Sequence, residues 1–217
     1  MRCLLLTTST GGENGSTIDA LFCGNIQTLL HVLSGCSISI DQGRYTWCHD
    51  SVLLSMVTMV RDNLKGGFSI FSDLPGFQAP YGRVIPPHVL VTSFRPDLFI
   101  LNEAERVIVM LELTCPFDSN IVRSHEFKQE KYSPLVADLA RHYRTKYYPV
   151  EVSVRGQITK SNKARLKLLL YESCNDPKGI LKTLLVNCYQ ISLLSSYSIF
   201  SARKEPSWAS PSPLIAR

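Results

Sequence analysis

Apolar and polar positions alternate along this chain in two periods. From Asp50 to Lys65, Leu53, Met56, Val57, Val60 and Leu64 recur at helical spacing, which predicts an amphipathic helix. Asp50 is its expected N-cap, and Gly66-Gly67 its expected stop. Residues 68–88 hold four prolines and several glycines and are expected to form a surface loop. The texture then changes to short branched-apolar runs: Val89–Thr92, Asp97–Leu101 and Val107–Thr114. These predict strands of one sheet, with Asn102–Glu105 as the turn between the last two. Both of those strands are apolar nearly throughout, so both faces of the sheet should be covered.

Asp118 or Ser119 can cap a second helix that reaches about Tyr132. Ser133-Pro134 should restart it, with Leu135, Leu139 and Tyr143 on one face up to about Tyr147. Val150–Val154 alternates as a strand, and Ala164–Tyr171 and Ile180–Phe200 read as helices. The order helix, strands, helix, strand, helices argues an α/β fold. Residues 1–19, rich in Gly, Ser and Thr, read as a loop or frayed lead-in, and the proline-bearing stretch from Glu205 as a disordered tail.

Composition narrows the picture modestly. The 217 residues suffice for one domain with a substantial core, and 45% hydrophobic with 19% charged residues is an ordinary globular balance. The net charge of +5 suits a partner that carries phosphates without requiring one. No apolar run reaches the roughly 20 residues of a membrane span, and the Leu4–Leu6 stretch is too short for a signal-peptide core, so an intracellular protein is expected. Seven scattered cysteines, an odd number, favour free thiols or a metal site over a disulfide framework.

The candidate chemistry lies on the predicted hairpin. Asp97 begins one strand and Glu112 interrupts the apolar run of the next. Paired as a hairpin, the strands would bring two carboxylates together, an arrangement that favours a cation between them. Mg²⁺ or Mn²⁺, with oxygen ligands and retained waters, could then activate a water against a phosphodiester. A strand-end Glu112 in solvent or paired with an arginine is the plainer alternative. Thr114, not lysine, stands two residues beyond Glu112. Lys128 and Lys131 follow on the next helix, where they are either water-positioning groups or part of a solvated basic face.

Arg95-Pro96-Asp97-Leu98, Glu112-Leu113-Thr114 and Lys128-Gln-Glu-Lys131-Tyr132 together resemble the PD-(D/E)xK nuclease pattern. The version is similar to the restriction-like endonuclease domain at the C-terminal end of certain non-LTR retrotransposon proteins, where the lysine is displaced to the next helix. Arg44–Val52 resembles that family's Arg-His-Asp/Asn-x-Val segment, with Cys48 where an arginine is usual. Val150–Gly156 resembles a later strand, and Tyr197–Arg203 ahead of Trp208 the closing helix. The resemblance spans roughly residues 20–208. It implies a restriction-endonuclease-like core, a small mixed sheet flanked by helices, over 44–204. It also implies Mg²⁺ or Mn²⁺ held by Asp97, Glu112 and the Leu113 carbonyl, with Lys128 or Lys131 as the catalytic lysine.

Such elements also carry a zinc knuckle, Cys-x2-Cys-x7-His-x4-Cys, ahead of the nuclease. Here Cys23, His31 and Cys36 fit its last three positions and Ala20 falls on the first. Segment 20–43 therefore reads as a degraded knuckle, incomplete for Zn²⁺ unless Cys3 or Cys48 joins. A buried cluster of Cys23, Leu29, Leu30, His31 and Cys36 without metal is the alternative.

Three functions follow. The first is an active endonuclease, nuclear, nicking target DNA for a partner reverse transcriptase and its element RNA. The second is a module that holds DNA phosphates without cleavage, through Arg95 and a basic face of Arg141, Arg144, Lys146 and Arg155. The third is a decayed retrotransposon fragment. Nothing in the chain resembles a polymerase.

Overall fold

The computed structural model describes residues 23–205, 207–209 and 211–212. The lead-in 1–19, Ala20 and Cys3 lie outside the described residues. Two short helices, α1 (Leu29–Ser34) and α2 (Ser37–Asp41), precede the long α3 (Arg44–Asp62). Four strands follow, β1 (Ser69–Ser72), β2 (Leu98–Asn102), β3 (Val107–Thr114) and β4 (Arg144–Glu151), with α4 (Ile121–Leu139) between the last two. Helices α5 (Lys160–Ser173) and α6 (Pro177–Ser201) close the order.

The strands form one mixed sheet in the order β1-β2-β3-β4. β1, β2 and β3 are antiparallel neighbours, and β4 joins β3 in parallel through the α4 crossover. The fold is thus α/β, as the element order predicts. The β2–β3 hairpin is the expected one: Asn102 Oδ1 accepts from the Glu105 amide at 2.9 Å, and Arg106 takes a left-handed φ of 51°. All of β2 and β3 is buried. On one face Leu98, Ile100, Val109 and Leu111 meet Val52, Leu53 and Met56 of α3 together with α5 and α6. On the other, Phe99, Ile108 and Met110 meet Tyr132, Leu135 and Leu139 of α4. Burying such side chains contributes roughly 1.5–3 kcal/mol each. The hairpin that carries Asp97 and Glu112 is therefore the most firmly held part of the sheet.

Several local expectations change. Val89–Thr92 forms no strand. It follows Pro86-Pro87, and Val89 and Leu90 pack against the α4-side core from a loop. The edge strand is instead β1, inside the stretch expected to be loop; its four residues are too few to show a clear alternation. α3 starts six residues before Asp50, because Gly43 turns the chain with a left-handed φ of 68° and Tyr45, Trp47 and Cys48 already face the core. α4 does not break at Ser133-Pro134. Pro134 cannot donate to the Glu130 carbonyl four residues back, and the Ser133 hydroxyl donates to it instead at 2.9 Å. The chain is extended from Arg144, not helical to Tyr147, because β4 pairs with β3 from Val107 onward. The stretch after Glu205 has no helix or strand among its described residues, yet it is not a free tail. Trp208 packs edge-on against Trp47 at 5.3 Å, and Trp47 Nε1 donates to the Pro211 carbonyl at 2.8 Å.

Candidate active site

Asp97 and Glu112 meet because the hairpin register sets Leu98 opposite Leu111, which puts Asp97 next to Glu112 at one end of the strand pair. Both side chains are buried, and the Asp97 amide donates to Glu112 Oε2 at 3.2 Å. They open onto a cavity of about 330 Å³ lined also by Asp73, Phe94, Arg95, Lys128, Lys131 and Tyr132. Lys128, buried on α4, donates directly to Glu112 Oε1. Thr114, at the position two past Glu112, is buried and its hydroxyl has no hydrogen-bond partner among the described residues. The cation beside Glu112 is thus supplied from α4, one strand–helix step later. Lys131 is exposed at the rim, its ammonium 4.8 Å from the Tyr132 ring centroid.

His49 completes the charge balance. Its ring is buried, with Nδ1 2.9 Å from Asp50 Oδ1 and Nε2 3.2 Å from Asp97 Oδ2 and 3.3 Å from the Leu113 carbonyl. Burial alone would lower the imidazole, but the Asp97 charge and the hydrogen bonds to Asp50 and Asp97 push it up to about 10. Burial opposes the charge of Asp97, and the His49 charge, with hydrogen bonds from His49 and the Leu113 amide, more than offsets this and holds Asp97 below its ordinary range. Glu112 goes the other way. Burial, then the Asp97 charge, push it up to about 7 against the pull of Lys128.

The donor set suits a hard divalent cation in part. Two carboxylates face one cavity, and the rise in Glu112 comes first from burial and then from the Asp97 charge, the second of which a cation between them would relieve. The third expected ligand fits less well, since the Leu113 carbonyl accepts from His49.

The expected DNA contacts do not form one surface. Arg95 borders the cavity, with Nε 2.9 Å from Asp73 Oδ1. Arg155 follows β4 and pairs with Asp118, Nε to Oδ2 at 2.6 Å. Arg141 pairs with Asp138 at 3.4 Å and Arg144 with Glu172 at 3.6 Å. Arg144 lies opposite Val107 and Lys146 opposite Val109, whereas Glu112 is five residues further along β3 than Val107, roughly 16 Å away. Arg141 and Arg144 therefore sit at the far end of the sheet from the carboxylates and from Arg155, with Lys146 between, roughly 10 Å along the strand from Glu112.

The sequence motifs include Tyr132 and His49 without a role for either, and they pass over Asp73. Tyr132 donates to the Arg95 carbonyl at 2.9 Å and so ties α4 to the strand leading into Asp97. Asp73 was hidden by the missed β1, which ends one residue before it. Cys48, where the related pattern has arginine, is buried against Cys115 and Ser195 and does not line the cavity.

A second cluster lies apart. The ligand atoms of Cys23, His31 and Cys36 fall within 4.8 Å of one another, so these residues could hold a metal ion. Thr28 caps α1 by accepting from the His31 amide at 3.1 Å, and Cys36 is the N-cap of α2. The Tyr45 hydroxyl donates to the Val32 carbonyl at 2.8 Å and accepts from the Cys36 amide at 3.1 Å, which pins the pair of helices to α3. Burial lowers His31, which favours the neutral imidazole that a metal needs. Leu29 and Leu30 are 42% and 48% exposed, so the metal-free buried cluster of the sequence reading does not form as expected. Cys48 does not join. Among the described residues no helix is long and apolar enough to cross a membrane. No protein-family model and no curated protein matches this chain.

Proposed function

We propose that this chain is a metal-dependent DNA endonuclease with a restriction-endonuclease-like core, derived from the C-terminal end of a non-LTR retrotransposon protein. One observation carries the reading. Asp97 and Glu112, adjacent across a buried hairpin, share a cavity with a lysine that arrives from the following helix in place of the missing one at position 114. Asp97 and Glu112 would hold Mg²⁺ or Mn²⁺, which when bound supplies a polarised water and neutralises charge on the cleaved phosphodiester. Lys128, held by Glu112, has further protons to orient the attacking water. Arg95 and Lys131 at the rim suit the flanking phosphates. In this reading the chain acts in the nucleus beside a reverse transcriptase and its element RNA, and the Cys23–His31–Cys36 group takes Zn²⁺ as a three-ligand remnant of a knuckle.

The test is nicking of supercoiled plasmid in Mg²⁺ or Mn²⁺. The parent should nick, and Glu112→Gln, assayed below its own melting temperature and shown folded by circular dichroism, should fall to background. A Glu112→Gln protein that nicks as fast as the parent sinks the assignment. One observation favours the binding-only alternative: His49 and Lys128 already neutralise both carboxylates. That alternative predicts DNA binding that weakens steeply with salt and no nicking at any Mg²⁺ or Mn²⁺ concentration.

A further inference from the structure

His49 lies outside the cavity lining, yet it touches the carboxylate that the cavity exposes. Its partners decide its protonation by geometry. Asp50 Oδ1, Asp97 Oδ2 and the Leu113 carbonyl are all acceptors, so both ring nitrogens must donate. Asp97 Oδ2 then receives two hydrogen bonds, from His49 Nε2 at 3.2 Å and from the Leu113 amide at 2.8 Å. Among the described residues the hydrogen bonds of the Asp97 carboxylate fall on Oδ2, and Asp97 lines the cavity, so Oδ1 is the oxygen left to meet a cation. The ring itself has little freedom. It is 2% exposed, and the next turns of α3 pack Val52, Leu53 and Met56 into the sheet core.

We propose that His49 is a positioning residue that fixes Asp97 for cation binding: it clamps Oδ2 from α3 while β3 clamps the same oxygen through the Leu113 amide, and Oδ1 is presented to the cation. The proposal rests on the reading of Asp97 as a cation-holding carboxylate. His49 takes no part in the chemistry itself, because it reaches the cavity only through Asp97. Partners of this kind behind a metal-ligating side chain are typically worth about 10–100-fold in metal affinity or activity.

The experiment compares the parent with His49→Ala and His49→Gln, each checked for folding by circular dichroism. Mn²⁺ binding is read by electron paramagnetic resonance, and plasmid nicking is followed as a function of Mn²⁺ concentration. The expected result is that His49→Ala weakens Mn²⁺ binding about 10–100-fold. The Mn²⁺ concentration for half-maximal nicking should rise in step, with a much smaller change in the rate at saturating Mn²⁺. His49→Gln, which retains one donor, should recover part of the affinity. A folded His49→Ala protein that binds Mn²⁺ as tightly as the parent overturns the proposal. A parent that binds no Mn²⁺ overturns it too, together with the cation reading of Asp97. If the parent binds Mn²⁺, His49→Ala weakens that binding and neither protein nicks, the positioning role stands and the endonuclease reading falls. In case neither variant folds, the parent alone gives a second measurement. Its His49 ring ¹⁵N resonances should shift on adding Mg²⁺, and unchanged resonances overturn the proposal.

Discussion

Two groups of potential metal ligands among the described residues are built on opposite plans. The Cys23–His31–Cys36 group is local in sequence, lies on α1 and the turns that flank it, and among the described residues has no cationic side chain hydrogen-bonded to its thiols. The Asp97–Glu112 group draws its surroundings from α3, β2, β3 and α4, and brings its own cations, His49 and Lys128. A local cluster can lose one ligand and keep the geometry of the rest. A buried carboxylate pair has no such latitude, because an uncompensated charge in the sheet core costs far more than a missing surface ligand. The carboxylate site is therefore tied to the stability of the fold, and the thiol site is separable from it.

The largest expected effect comes from removing one of the built-in cations. Lys128→Met should destabilise the fold by about 3–5 kcal/mol near pH 8, because it leaves Glu112 buried without its partner. The loss should shrink toward pH 5. A carboxyl pushed up to about 7 contributes stability that is full below its unfolded value near 4.5 and is lost as pH rises through about 7. Urea unfolding at the two pH values checks this, and equal losses at both would place Glu112 outside the coupling.

Next in size is the separable site. Zn²⁺ at a hundred times its dissociation constant should add about 2.7 kcal/mol to the parent. Cys23→Ser should abolish the gain without altering the metal-free melting temperature by more than a degree or two. Calorimetric melts with and without Zn²⁺ decide it; a large metal-free loss would erase the contrast between the two sites.

A third test concerns how His49 holds its charge. The ring should remain protonated through neutral pH in an NMR titration, and Asp97→Asn should bring its midpoint down toward 6.5. The sign for stability follows from the raised value: the contribution is full below about 6.5 and is lost as pH climbs through about 10. A ring in the parent that titrates near 6.5 would contradict the imidazolium geometry. The smallest effect is expected from Arg141→Ala and Arg144→Ala. Both are exposed ion pairs at the far end of the sheet, worth about 0–1 kcal/mol, and neither should alter Mn²⁺ or Zn²⁺ binding.

The sequence by itself determined a good deal. The apolar runs 97–101 and 107–114 around a polar turn specified the buried hairpin, and with it the meeting of Asp97 and Glu112, since the register of a hairpin follows from the length of its turn. The spacing of Cys23, His31 and Cys36 was equally readable, because all three lie within fourteen residues and two short caps place them. Tertiary structure decided the rest. It set Lys128, rather than Lys131, against Glu112, because only packing shows which turn of α4 lies over β3. It brought His49 to Asp97 across forty-eight residues of chain by laying α3 on the opposite face of the sheet from α4. It also separated Arg141, Arg144 and Lys146 from the carboxylates, although their charge suggested a shared face. Short-range pattern fixes which residues face inward. Which inward-facing residues meet depends on how helices cross the sheet, and that is set by the whole core at once.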